Sequence, residues 1–277
     1  MTSPSPGHPY PARWDHVPFY RWWRKSVVGS VDQEKVVARI VEESGCTPRY
    51  LFMTMMSAGI AVLGLLLSSP AVVIGAMLIS PLMNPILGLG FSLALFDFAE
   101  LRRSLSALAI GAGAALLFTA FIVLVSPLKA PTAEILARPA DRTDWAEILA
   151  RTRPNLFDLL VALFAALAGT FAIIRGRGET IVGVAIATAL MPPLAVVGFG
   201  LATWNMPILG GALALFITNF VTIALSAMVM ARYYGFGHYL SSQQSWTQTV
   251  LLMLVFVVMA VPLAISLSRI AGEAVAV

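Results

Sequence analysis

Cysteine is almost absent. Cys46 stands alone among 277 residues, which excludes an internal disulfide and a cysteine-based metal cluster. Histidine is nearly as scarce: His8, His16 and His238 fall outside the apolar runs, and none forms a ligand pair with another. No glycine-rich phosphate loop, zinc-protease helix or serine elbow is present. The chain therefore reads as a non-enzyme that takes no cofactor and no metal. Charge is thin as well. Asp, Glu, Lys and Arg make up 12% of the residues, against about 25% in soluble domains. The net charge of +4 is carried by loops and reads as orienting a membrane protein rather than as a footprint for nucleic acid. Nothing at the N-terminus has the pattern of a cleaved signal peptide, because the first apolar run begins only near Leu51.

What fills the chain instead is apolar sequence, 58% of it, more than a soluble core can absorb. Seven runs follow one another at about 51–69, 71–96, 104–126, 156–174, 180–203, 207–231 and 248–268. Each is long enough for a membrane span of roughly 20 residues. Ahead of them, residues 1–12 are proline-rich and aperiodic. Phe19 to Lys25 mixes aromatic and basic residues as a headgroup layer favours. Ser30 and Gln33 resemble a capping box opening a helix with Val36, Val37, Ile40 and Val41 on one face and Gly45 to end it. This helix is expected to lie along the inner membrane surface. With the N-terminus inside, most lysines and arginines fall inside, whereas the turns Ser68-Ser69-Pro70 and Trp204-Asn205-Met206 carry no charge and fall outside.

The runs repeat. Shifted by 108 residues, Gly75, Leu82, Met83, Pro85, Gly90 and Phe91 lie over Gly183, Leu190, Met191, Pro193, Gly198 and Phe199. A later match sets Leu116, Thr119 and Phe121 against Leu215, Thr218 and Phe220 after a nine-residue gap, read as a charged loop that the second half replaces with a tight turn. Each half holds three spans, an odd number, so the second must enter the bilayer from the opposite side, as in many channels and secondary transporters. The expected organisation is 1–48, a cytoplasmic tail with an interfacial amphipathic helix; 49–126, membrane repeat 1; 127–155, an extracytoplasmic loop; 156–232, membrane repeat 2; and 233–277, a loop and C-terminal transmembrane helix. The fold class is all-α integral membrane, about seven transmembrane helices in two inverted three-helix repeats with proline-broken second helices.

Those second helices carry the candidate site. Pro81 and Pro85 in one half, and Pro192 and Pro193 in the other, remove amide donors and clash with carbonyls one turn back. The expectation is a break at each. Freed carbonyls cannot face lipid, so they face protein or a wet cavity, with Ser80, Asn84 and Thr188 beside them to serve either the carbonyls or a ligand. The plain alternative is a structural kink closed by neighbouring helices. Asn219 either lines the same cavity or bonds across helices. Asp158 is either an intramembrane carboxylate or an interfacial one. Asp97, Glu100 and Glu179 read as loop charges. The small-residue run Gly111 to Ala115 suits close helix packing within or between subunits.

Ser69-Pro70-Ala-Val-Val-Ile-Gly-Ala-Met-Leu-Ile-Ser-Pro-Leu-Met-Asn-Pro-Ile-Leu-Gly resembles the signature of a prokaryotic membrane family catalogued as domain of unknown function 389. Arg153-Pro-Asn-Leu-Phe-Asp-Leu-Leu-Val-Ala-Leu, Ala189-Leu-Met-Pro-Pro-Leu-Ala-Val-Val-Gly and Thr218-Asn219-Phe220 extend the resemblance over about 45–235. It implies a membrane protein and names no substrate. The leading functional expectation is a channel or secondary transporter moving an ion or small solute across the cytoplasmic membrane of a prokaryote. It has membrane lipid as its surroundings and a homo-oligomer as its assembly, with a trimer the first candidate. The alternatives are a non-transporting membrane scaffold or sensor and, behind it, an intramembrane or lipid-modifying enzyme.

Overall fold

The computed structural model describes residues 26–126, 146–152, 154–176 and 179–237. The aromatic-basic segment 19–25, the seventh apolar run and most of the polar stretch 127–155 lie outside the described residues. Within them a short 3-10 turn, Val28–Ser30, precedes nine helices: α1 Gln33–Glu43, α2 Pro48–Leu66, α3 Pro70–Leu78, α4 Met83–Leu95, α5 Phe98–Val125, α6 Ala146–Ala150, α7 Leu156–Arg175, α8 Glu179–Ala202 and α9 Met206–Tyr233. No strand occurs among the described residues. Four helices, α2, α5, α7 and α9, are long and apolar enough to cross a membrane, and α3 with α4 forms a fifth candidate bent by 54°. Their outward faces carry Phe52, Leu117, Leu124, Phe157 and Phe164, all well exposed. A soluble protein does not leave such a belt in water.

Local sequence explains where the helices begin. Proline at the first helical position needs no amide hydrogen, and it opens α2 and α3. Asp32 caps α1 by accepting from the Lys35 amide, so the cap is Asp32 and not the expected Ser30. Thr47 and Asn155 cap α2 and α7 by accepting from the Tyr50 and Asp158 amides. Asp97 and Asn205 do the same for α5 and α9. Asp97 is thus a helix cap rather than a loose loop charge.

These caps reveal a spacing. Thr47 and Asn155 are 108 residues apart, and so are Asp97 and Asn205. The left-handed residues that turn the chain recur with them: Phe96 (φ 58°) and Trp204 (φ 52°), Ser68 (φ 48°) and Gly176 (φ 63°). The corner bonds repeat, Asp97 N–H to Ser92 O and Asn205 N–H to Gly200 O, both 3.0 Å. Helices α5 and α9 are each 28 residues long, starting at Phe98 and at Met206. The nine-residue gap expected after the corner is therefore absent. Both corners are equally tight, and Leu116 and Thr119 answer to Ala224 and Ala227 instead of Leu215 and Thr218.

Packing is reciprocal across the two units. At Gly90 of α4 a Cβ would sit 2.5 Å from Ala227 Cβ and 2.6 Å from Ala224 O of α9. At Gly198 of α8 it would sit 2.6 Å from Thr119 Cβ and 3.1 Å from Leu116 O of α5. Each second helix thus presses a glycine against the third helix of the other unit. The interior that results is built from small side chains, with Ala58, Ala61, Ala115, Ala195, Ala212 and Ala227 wholly buried, as helices in lipid require for close approach.

Candidate functional site

The first proline centre is broken. Helix α3 ends at Leu78, and the chain closes with short turns, Ile79 N–H to Ala76 O and Ser80 N–H to Met77 O, both 3.3 Å. Pro81 has no hydrogen to continue the ladder to Met77. Asn84 N–H turns back to Pro81 O at 3.2 Å, and Pro85 becomes the third residue of α4, where a missing donor costs nothing. The Ser57 hydroxyl of α2 donates to Ala76 O at 2.7 Å, satisfying one carbonyl at the end of α3. The Ser80 hydroxyl is buried and, among the described residues, finds no partner; the same is true of the Tyr50 hydroxyl. Such orphans are rare in folded proteins and call for a reason. Beside them a cleft of about 560 Å³ opens, lined by Pro81, Asn84, Tyr50, Thr47 and the charged residues Arg39, Glu42, Glu43 and Arg49.

The second proline centre is not broken. Helix α8 runs unbroken from Glu179 to Ala202 with Pro192 and Pro193 inside it, which corrects the expected break in both halves. Pro193 removes the donor that Ala189 O would receive. The Asn219 amide of α9 supplies it, Nδ2 to Ala189 O at 2.7 Å. Adjacent prolines free carbonyls on one turn only, and a donor from the next helix can cover the gap; prolines four apart disturb two successive turns. Residues 189–200 are all buried. Of the two alternatives for Asn219, the structure shows the bond across helices.

Asp158 sits in the first turn of α7 in a capping box, its carboxylate accepting from the Asn155 amide at 3.2 Å while the Asn155 side chain accepts from the Asp158 amide at 2.9 Å. The Thr188 side chain lies outside the described residues. The expected constellation is therefore assembled in part: Pro81 and Asn84 line the open cleft with Ser80 beside it, Pro192, Pro193 and Asn219 form a closed joint, and Asp158 caps a helix.

The sequence reading missed the part played by α1. It is fastened to the bundle, not simply laid on a membrane surface. Val36 and Ile40 are buried, and Gln33 Nε2 donates to Tyr234 O at 3.0 Å. At its far end the buried Ser44 hydroxyl donates to Glu100 Oε1, which also accepts from Ser104 at 3.2 Å. Glu100 is buried and lies 3.6 Å from Arg103, so it is an anchor and not a loop charge. The signal was faint: two serines and a glutamate separated by 56 residues. With α1 fastened there, Arg39 and Glu43, paired at 3.0 Å, border the helix break.

Apolar helices enclosing a polar cleft at a proline break define a polytopic helical membrane protein. The chain belongs to the family described as Domain of unknown function (DUF389), whose model matches residues 77–225, from the end of α3 into α9. It is also similar to an uncharacterized protein of Methanocaldococcus jannaschii, 29% identical over 189 residues, covering 68% of this chain and 55% of that protein. The chain thus spans little more than half the length of this relative. No solved structure matches it.

Proposed function

We propose that the chain is built from two three-helix units, α2–α5 and α7–α9, inserted in opposite senses in the cytoplasmic membrane of a prokaryote with the N-terminus inside, and that it moves an ion or small solute along the break between α3 and α4. The recurrence of caps and corners at one spacing, and the reciprocal glycine contacts, support the duplication. An odd number of crossings per unit then implies inversion. The observation that carries transport is the break itself: two orphan hydroxyls, Ser80 and Tyr50, beside a charged cleft. Irregular backbone at membrane depth is tolerated where it is buried in protein or lines a wet cavity.

A second reading, a non-transporting scaffold or sensor, draws on the closed second centre, where Asn219 and its buried surroundings leave nothing open. Reconstitution in liposomes with a panel of small cations, anions and neutral solutes separates the two. Transport predicts a solute whose flux changes several-fold in Asn84→Leu and Ser80→Ala while expression and assembly hold. If some solute is moved with equal rates by wild type and both variants, the route lies elsewhere. If no solute moves at all, the scaffold reading stands.

A further inference from the structure

We propose that the cleft between α1 and the C-terminal turn of α7 holds the headgroup of an anionic phospholipid. This cleft, of about 690 Å³, is distinct from the one at the helix break, although Arg39 borders both. Its cationic lining comes from Lys35 and Arg39 of α1 and Arg175, the last residue of α7; Asp32 is the acid facing them. Three cations against one carboxylate leave a net attraction for an anion. The carbonyl end of α7 works against that with a partial negative charge of about one half, too little to reverse it. The cleft at the break is different, since Arg39 and Arg49 there meet Glu42 and Glu43 and the charges balance.

A bare anion would use only the charged wall. The opposite wall is Phe171, Ile173 and Ile174, and Phe171 is half exposed, in line with Phe157 and Phe164 one helical heptad apart along the outer face of α7. The cleft therefore opens onto the lipid-facing stripe of the same helix. A phosphodiester can sit among the cations while an acyl chain follows the phenylalanines. Arg175 is held in place for this, its guanidinium 5.5 Å from the Tyr234 ring and 6.0 Å from the Phe171 ring, contacts that leave its N–H edge able to meet an anion. Basic pockets between helices at a membrane surface bind lipid headgroups on the same chemistry.

The test is native mass spectrometry of the full chain from mild detergent, supplied with equal amounts of phosphatidylglycerol and phosphatidylcholine bearing the same acyl chains. The expected result is preferential retention of phosphatidylglycerol. Lys35→Ala weakens it by about fivefold, the worth of one basic residue at a lipid surface, while phosphatidylcholine is unaffected. Lys35→Arg keeps the preference, and excess inorganic phosphate does not displace the lipid. Arg175→Leu gives a second, independent loss. Equal retention of the two lipids would overturn the assignment. So would a preference indifferent to both Lys35→Ala and Arg175→Leu, or displacement by inorganic phosphate, which would mark a site for a free anion.

Discussion

Asn219 shows how one side chain decides the state of a helix. The Ala189 carbonyl has lost its donor to Pro193, and inside the bundle no water replaces it, so an amide 30 residues away completes it. Removing the amide leaves a buried acceptor bare. In soluble proteins that costs about 1–3 kcal/mol; in membranes interhelical hydrogen bonds average nearer 0.6 and reach about 1.7 kcal/mol, because the unfolded chain in lipid finds other partners. Asn219→Leu should therefore destabilise by about 1 kcal/mol. Adding Pro193→Ala, which returns an amide hydrogen to Ala189 O, should recover most of that loss. Thermal unfolding in detergent measures both, and strict additivity of the two changes would contradict this joint. The sequence made Asn219 a candidate by its polarity but could not choose its role, since nothing in one chain pairs position 219 with position 189. Asp158 and Glu100 were ambiguous for the same reason. A carboxylate at a span end is a cap, an anchor or a titrating group according to its neighbours.

Among the elements, what was legible was what short-range chemistry sets. Prolines at helix starts, Asp, Asn and Thr at caps, and runs of apolar residues located six spans from sequence, and the break at Pro81 was readable from two prolines one turn apart. Its counterpart was not, because continuity of α8 depends on a donor from α9. The nine-residue gap was an artefact of matching Leu, Thr and Phe in low-complexity sequence. Cap and corner geometry aligns the helices without it. Helix crossing gives a sharper check. Backbone atoms of α9 lie where a Cβ on Gly90 would go, and atoms of α5 where one on Gly198 would go, whereas at Gly210 nothing lies within 4 Å. Gly90→Ala and Gly198→Ala should each destabilise, by about 1–3 kcal/mol as overpacked interiors do. Gly210→Ala should be neutral or stabilising by up to about 1 kcal/mol, since alanine is the better helix former. Thermal unfolding of the three variants reads this directly. Loss at Gly210 equal to loss at Gly90 would remove close approach as the cause.

At the scale of the whole molecule the architecture has two consequences. The first is assembly. On the outer face, Gly75 of α3 and Gly113 of α5 have nothing within 4 Å of where a Cβ would stand, and smooth small-residue surfaces in lipid associate by close packing. We expect a homo-oligomer, a trimer being the first candidate. Crosslinking in native membranes should give species above the monomer, and a monomer as the sole product would contradict it. The second is the opposed insertion of the two units, on which the transport reading rests. Phe98 and Met206 open α5 and α9 directly after matched corners, and both are exposed. In an inverted duplication these twin positions must lie on opposite sides of the membrane. Phe98→Cys and Met206→Cys, each in a Cys46→Ala background, are treated with a membrane-impermeant thiol reagent on intact cells. The account predicts that the cysteine at 206 is labelled from outside and the cysteine at 98 only after permeabilisation. Labelling of both from the same side would contradict it.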